Sequence, residues 1–431
     1  MNLDHQMKDR RTLEALRAGV PNHDAVLALG CAQPAIEQRF RQQLQDAKQG
    51  VGDASKTSGL LVEGGFGGGK SHLLESLLHL ALEENFICSK IVISKETPLY
   101  DPVKLYRAAA EAAILPGKRG AALTEIATKL DFISESYNDL YEWVEWVARS
   151  GGDMNARFSA TLFLFQNMPN DPELRNRIIR FWSGEPIGVL EIKKYLKACH
   201  DKTAAYKIDK IAEKELALQR FKFAARLMVA AGYAGWVLLI DEVELMGRYS
   251  LIQRARSYAE LARWMGKLDG ENFTGLTAVL AITDDFQSVM LERKNDLKRL
   301  PGKLRARAKA RGSGSGADRL LAHQAEQGMQ IIQQEGISLK PPDDTVLEQI
   351  YDKVKSIHAR AYGWVPPPVL SLERLGTTRM REYLKGWITE WDLKRLDPAY
   401  NVEIEVTGMR RDYAEDANLH VETETDPTSA K

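Results

Sequence analysis

Gly64-Gly65-Phe66-Gly67-Gly68-Gly69-Lys70-Ser71 is the stretch on which the reading of this chain turns. The apolar run Leu60-Leu61-Val62-Glu63 leads into it, and His72-Leu73-Leu74-Glu75-Ser76-Leu77-Leu78, apolar at helical spacing, leads out. A strand, a glycine turn and a helix in that order fit the phosphate-binding pattern G-x-x-x-x-G-K-[ST]. The residue types follow from the chemistry. Glycines without Cβ let successive backbone N–H groups curl around a polyphosphate, and the helix N-terminus adds its dipole. Lys70 reaches the β- and γ-phosphates, and the Ser71 hydroxyl can sit on Mg2+. Gly64, Gly65, Phe66, Gly67, Gly68, Gly69, Lys70, Ser71 and His72 are therefore the expected contacts of a bound nucleoside triphosphate.

Working outward, the pattern becomes strand–helix–strand. Leu60–Glu63 and a helix over 71–84 are followed by the β-rich run Ile87–Ser94 and a helix from Pro102 to about Ala113. Further apolar strands are expected at Trp236–Ile240 and Thr277–Thr283, with an edge strand at Gly336–Lys340. Apolar strands alternating with helices indicate a parallel sheet covered on both faces. The expectation is an α/β fold with a five-stranded parallel sheet.

Ser71 and Asp241 stand far further apart than two strand–helix–strand crossovers of about 30 residues each require. The excess, 117–212, reads as a helical insertion rich in aromatic residues, including Tyr137, Tyr141, Trp143 and Trp146. Residues 1–58 read as an N-terminal helical segment, 59–340 as the core and 341–411 as a C-terminal helical lid. Residues 412–431 carry Glu415, Asp416, Glu422, Glu424 and Asp426 with few apolar residues, the composition of a disordered acidic tail.

Composition narrows the class without naming the partner. The 431 residues suffice for two or three domains, and Lys+Arg balances Asp+Glu at 59 each, so net charge points neither to nucleic acid nor to a membrane. Cys31, Cys88 and Cys199 lack metal-binding spacing and read as reduced thiols. The polar start, Met1-Asn2-Leu3-Asp4, does not read as a signal peptide, and no apolar run approaches the roughly 18 residues of a membrane span. A cytoplasmic protein with no membrane partner is expected.

Asp241-Glu242 ends the strand Trp236–Ile240 and supplies what hydrolysis requires beyond phosphate binding. Ligands of open α/β sheets bind at the carboxyl ends of strands, so the pair belongs beside the glycine loop. Asp241 would hold Mg2+ with Ser71, and Glu242 could orient and deprotonate an attacking water, with Glu244 as the fallback base. Thr283 ends the next strand, where a hydroxyl can touch the γ-phosphate or cap the helix that follows. Arg379, in Gly376-Thr377-Thr378-Arg379, can swing over the nucleotide from the lid. Residues 293–311 are strongly basic and are followed by Gly312-Ser313-Gly314-Ser315-Gly316. Two functional readings stay open for that run: an arginine reaching a neighbouring subunit's site, or contact with nucleic-acid phosphates.

These pieces together resemble the AAA+ branch of P-loop ATPases. Walker A falls at 64–71, Walker B at Leu238–Glu242, Thr283 at the sensor-1 position and Gly376–Arg379 at the sensor-2 position. A narrower likeness, carried by Glu14–Asn22, Gly65–His72, Leu239–Glu242 and Ile357–Trp364, is to the ATP-binding proteins of BREX phage-defence systems, the BrxD-like group, related to origin-recognition-type ATPases. That resemblance implies a defence ATPase using ATP and Mg2+, working with DNA, expected as double-stranded, and with helicase or methyltransferase partners. It also implies that residues near Gly19–Asn22, Val20 and Pro21 among them, line the adenine pocket. Between Thr283 and Ile337 the arginine-finger position is shared by two candidates, Arg305 and Arg319, which leaves a hydrolysing homo-oligomeric ring open. The alternative function is a nucleotide-gated switch or scaffold that binds ATP with little turnover and recruits protein partners.

Overall fold

The computed structural model describes residues 3–20, 22–50, 59–117, 122–149, 154–199, 206–311, 316–369, 380–399 and 413–419. The chain opens with α1 (Leu3–Ala18), α2 (His23–Leu29) and α3 (Pro34–Gln49). Then come β1 (Leu60–Glu63), α4 (Lys70–Glu83), β2 (Ile87–Val92), α5 (Pro102–Glu111) and β3 (Ala113–Ile114). Five helices follow, α6 (Ala122–Lys129), α7 (Glu135–Arg149), α8 (Arg157–Asn167), α9 (Pro172–Trp182) and α10 (Val189–Ala198). α11 (Glu213–Ala230) leads to β4 (Trp236–Asp241), a 3-10 turn (Val243–Arg248), α12 (Leu251–Trp264) and β5 (Leu276–Ile282). A π-helical turn (Gln287–Arg293), α13 (Asp296–Arg311), α14 (Gly316–Gln334), β6 (Ile337–Ser338), α15 (Asp344–Tyr362) and α16 (Met380–Leu396) follow.

The sheet has six strands in the order β3-β2-β4-β5-β1-β6. This corrects the expected count of five. The extra strand, β3, is the one antiparallel member, pairing Ala113 with Ser89 and Ile114 with Cys88 at the sheet edge. Two residues one position beyond α5 carry no period of their own, so they read as the end of that helix. The other five strands run parallel, with β6 paired to β1 at the opposite edge.

Every residue of β4 and β5 is buried, as parallel strands covered on both faces require. Alternate side chains enter different cores. Leu238, Ile240, Ala278 and Leu280 face the large core shared with α5 to α12. Val237, Leu239, Val279 and Ala281 face α3 and α4. A third core joins the two ends of the chain: Leu13 and Leu16 of α1 and Leu29 of α2 pack with Val354 and Ile357 of α15 and with Trp387 and Trp391 of α16.

Helix boundaries follow local chemistry. Asp101 accepts from the amides of Val103 and Lys104 to start α5, and Asp343 accepts from Val346 to start α15, each satisfying amides that the helix itself leaves open. Gly363, at φ 66°, ends α15 in the left-handed region. No helix among the described residues is long and apolar enough to cross a membrane.

The expected disorder from 412 onward does not hold at 413–419. Tyr413 is buried against Phe286, and Glu415 and Asp416 pair with Arg254 and Arg248. An acidic run stays unattached only where no cation or apolar niche meets it, and here both do.

Candidate active site

β1, β4 and β5 are parallel, so their carboxyl ends bring Gly64, Asp241 and Thr283 to one rim of the sheet, with β5 in the middle. Open parallel sheets take their ligands at this rim. The Gly64 amide bonds the Ile282 carbonyl at 3.1 Å, and the Gly68 amide bonds the Gly65 carbonyl at 2.9 Å. Gly67 and Gly69 lie at φ 77° and 98°, conformations that a side chain would resist. The loop ends at α4, whose first turn offers unpaired amides and the positive end of its dipole.

Lys70 is buried, and its ammonium donates to the carbonyls of Gly64 at 2.8 Å and Gly65 at 3.4 Å. A phosphate oxygen would be a stronger, charge-assisted partner for the same group. Ser71 donates its hydroxyl proton to Asp241 Oδ2 at 2.7 Å, while Oδ1 accepts the Glu242 amide at 2.9 Å. That turn holds Glu242 at φ 60°, a left-handed position costing a non-glycine residue of order 1–3 kcal/mol. The strained turn aims Glu242 into a cavity that Gly65–His72 also line, whereas Glu244 is 1% exposed. Paired oxygen donors such as Ser71 and Asp241 fit Mg2+, a hard cation held at nucleotide sites by one or two protein oxygens plus phosphates.

The cavity is about 180 Å³ and is lined from both the α1 and the α16 regions of the chain. Leu16 and Gly19 from the end of α1, the Gly30–Gln33 connection, Pro342 and Leu384 of α16 complete its wall. His72 joins the glycine loop to that wall through a hydrogen bond of 2.8 Å from Nε2 to the Gly30 carbonyl. A carbonyl only accepts, so Nε2 carries the proton, and burial pushes the ring's pKa below its ordinary value. Burial likewise pushes the Cys31 thiol up to about 12, which keeps it protonated and unreactive. Beside the loop, burial and then repulsion from Asp284 raise the carboxyl of Glu63.

Arg381, which no motif in the sequence singles out, lines the cavity from the start of α16. Its NH2 donates to the Ala18 carbonyl at 2.9 Å, and its guanidinium lies 6.0 Å from the Phe66 ring centre. Gly19, at φ 68°, makes room for it, because a Cβ there would stand 2.0 Å from Arg381 Nε. The signal available in the sequence is the basic pair flanking Met380 at the start of α16. Arg379 and Pro21 lie outside the described residues.

The remaining expected residues are not gathered at the cavity. Val20 bonds the Ala15 carbonyl through its amide, but its side chain is 68% exposed, and it is Gly19 that lines the wall. Arg305, on α13, pairs with Glu326 of α14 at 2.6 Å, and Arg319 is exposed on α14; neither lines the cavity. Thr283 is buried beside the loop, and its hydroxyl meets the Tyr413 hydroxyl at 2.6 Å. Tyr413 is legible in the sequence only as a single aromatic ahead of an acidic run.

A family model described as BREX system ATP-binding protein BrxC/D matches residues 5–377. Comparison with curated proteins and with solved structures gives no match.

Proposed function

The chain belongs to the BREX system ATP-binding protein BrxC/D family, and from that premise we propose that it is an AAA+-like ATPase that hydrolyses ATP in a phage-defence complex on DNA. Family membership supports ATP binding in phage defence. The observation that carries hydrolysis is the direct bond between Ser71 and Asp241 with Glu242 lining the same cavity as the glycine loop.

In this reading the loop amides and the start of α4 bind the β- and γ-phosphates, and Lys70 exchanges its loop carbonyls for phosphate oxygens. Ser71 and Asp241 hold Mg2+, which would neutralise charge on the phosphates. Glu242 orients a water and accepts its proton as the water oxygen bonds to the γ-phosphorus and the bond to ADP breaks. Thr283 donates a hydrogen bond to the γ-phosphate, and Arg381 approaches the phosphates from α16. The base sits in the cavity beside Gly19 and the Gly30–Gln33 connection.

The same reading takes 59–340 as the ATPase core, 117–212 as its insertion and 341–411 as its lid. Its site of action is cytoplasmic, with helicase or methyltransferase partners recruited by the insertion or lid. Arg305 and Arg319 remain the candidates for completing a neighbouring subunit's site.

Phosphate release with and without double-stranded DNA tests the proposal. Turnover stimulated by DNA and reduced roughly 100-fold or more by Glu242→Gln supports it. Tight ATP binding with no release under either condition would replace it with the nucleotide-gated switch.

A further inference from the structure

Residues 413–419 lie across the exits of β4 and β5 and touch the turns that carry both Glu242 and Thr283. The Tyr413 ring is 5% exposed and meets Phe286 edge-on at 5.9 Å between centres. Gly247 makes its niche: a Cβ there would stand 3.0 Å from the Tyr413 ring and 3.1 Å from the Met290 sulfur. Lys294 donates to the Tyr413 carbonyl. Downstream, Glu415 bonds the buried Arg254 at 2.8 Å, and Asp416 bonds Arg248 at 2.8 Å through its side chain and at 3.1 Å through its amide.

The hydroxyls form a chain with a forced direction. Asp285, as a carboxylate, only accepts, so the one proton of Tyr413 goes to its Oδ1 at 2.7 Å. The 2.6 Å contact between Tyr413 and Thr283 must then use the Thr283 proton. Docked in this way, the segment leaves Thr283 no proton to donate to a phosphate oxygen. It is also built to let go. Asp416 and Arg248 are each at least a quarter exposed, and a pair that wet is weak and screened by salt, while Glu415 reaches Arg254 from a half-exposed position.

We propose that residues 413–419 are an intrachain inhibitory strap that engages the Thr283 hydroxyl and must release it before a terminal phosphate can be bound there. The proposal rests on the reading of the cavity as an ATP site. Because binding free energies are reciprocal, an ATP γ-phosphate that claims Thr283 weakens the strap, and loosening the strap strengthens ATP binding. ADP, which has no phosphate at that position, is indifferent.

The test uses the full chain carrying Glu242→Gln, so that ATP is not consumed, with and without Tyr413→Phe or the pair Glu415→Gln and Asp416→Asn. Mg–ATP and Mg–ADP affinities are measured by calorimetry, with thermal unfolding as the check on folding. Both strap variants are expected to bind ATP at least about fivefold more tightly, the low end of typical coupling between sites, with ADP affinity unchanged. ATP and ADP affinities that stay put, or that shift together, overturn the strap while leaving the ATP site intact. Failure of every chain to bind either nucleotide sinks the functional reading and the strap with it.

Discussion

The Ser71 hydroxyl and the Asp241 carboxylate meet at 2.7 Å although 170 residues separate them in the chain. Everything between them, helices α6 to α10 included, is a detour that returns β4 to a place two strands from β1. The contact ties the glycine loop to β4, which ends in Asp241 with Glu242 directly after it.

Removing one of those oxygens should cost cation-dependent affinity. Ser71→Ala and Asp241→Asn are each expected to weaken ATP binding in Mg2+ by roughly 10- to 100-fold, the equivalent of a hydrogen bond to a charged group at about 1.5–3 kcal/mol. Affinity in the presence of a chelator should change far less. Calorimetric titrations under both conditions decide it, and equal losses with and without Mg2+ would mark the pair as structural.

Gly19 and Arg381 should behave as one unit. Gly19→Ala forces a side chain into a left-handed backbone position and against Arg381 Nε, for a loss of about 1–3 kcal/mol in stability. In an Arg381→Ala chain the collision is gone, so the same substitution should cost less. A double-mutant cycle by denaturant unfolding reads the coupling, and strictly additive losses would contradict the contact.

Acid should loosen the cavity wall through His72. The fold favours the neutral ring, so the group's pKa is lowered from 6.5 and its contribution is present above that value and lost as pH falls through the lowered one. Unfolding free energies measured between about pH 7.5 and 5 should fall on acidification. His72→Gln should flatten part of that slope, leaving a remainder from His79, whose pKa burial and His23 also lower. An unaltered slope would exclude His72 as a contributor.

The basic run acquires a direction from the structure. Arg305 and Arg307 are engaged by Glu326 and Asp318, while Lys298, Arg299, Lys303 and Lys309 lie exposed on α13, opposite the buried Leu300, Leu304 and Ala308. Replacing the four exposed cations by Gln should weaken binding to double-stranded DNA and reduce the salt slope by about 0.9 for each phosphate that is no longer neutralised. Fluorescence anisotropy across a salt series measures both, and an unchanged slope would remove α13 from the DNA-binding surface.

The parts of the site that depend on local chemistry are legible in the sequence. A glycine loop between a strand and a helix, and Asp241-Glu242 at the end of an apolar strand, are placed by patterns in consecutive residues. The helical character of 117–212 is equally plain from its spacing. What cannot be read is anything assembled across the chain. β3 has too few residues to show a period. Gly19 meets Arg381 only because α1 packs on α16, and Tyr413 meets Thr283 only because Gly247 leaves space for its ring. A one-dimensional pattern records none of these pairings.

The core shared by α1, α15 and α16 also sets a timetable for synthesis. Leu13 and Leu16 are made long before their partners Trp387 and Trp391. At about 5–20 residues per second, the first helix waits roughly 20 to 75 seconds for its packing surface. The glycine loop waits as well: β1 lies between β5 and β6, and the Gly64 amide bonds the Ile282 carbonyl, so its setting is complete only after Ser338 is made. The loop's strand neighbours and then the α16 side of the cavity wall arrive in that order, so a chain still on the ribosome has neither until most of its length is made.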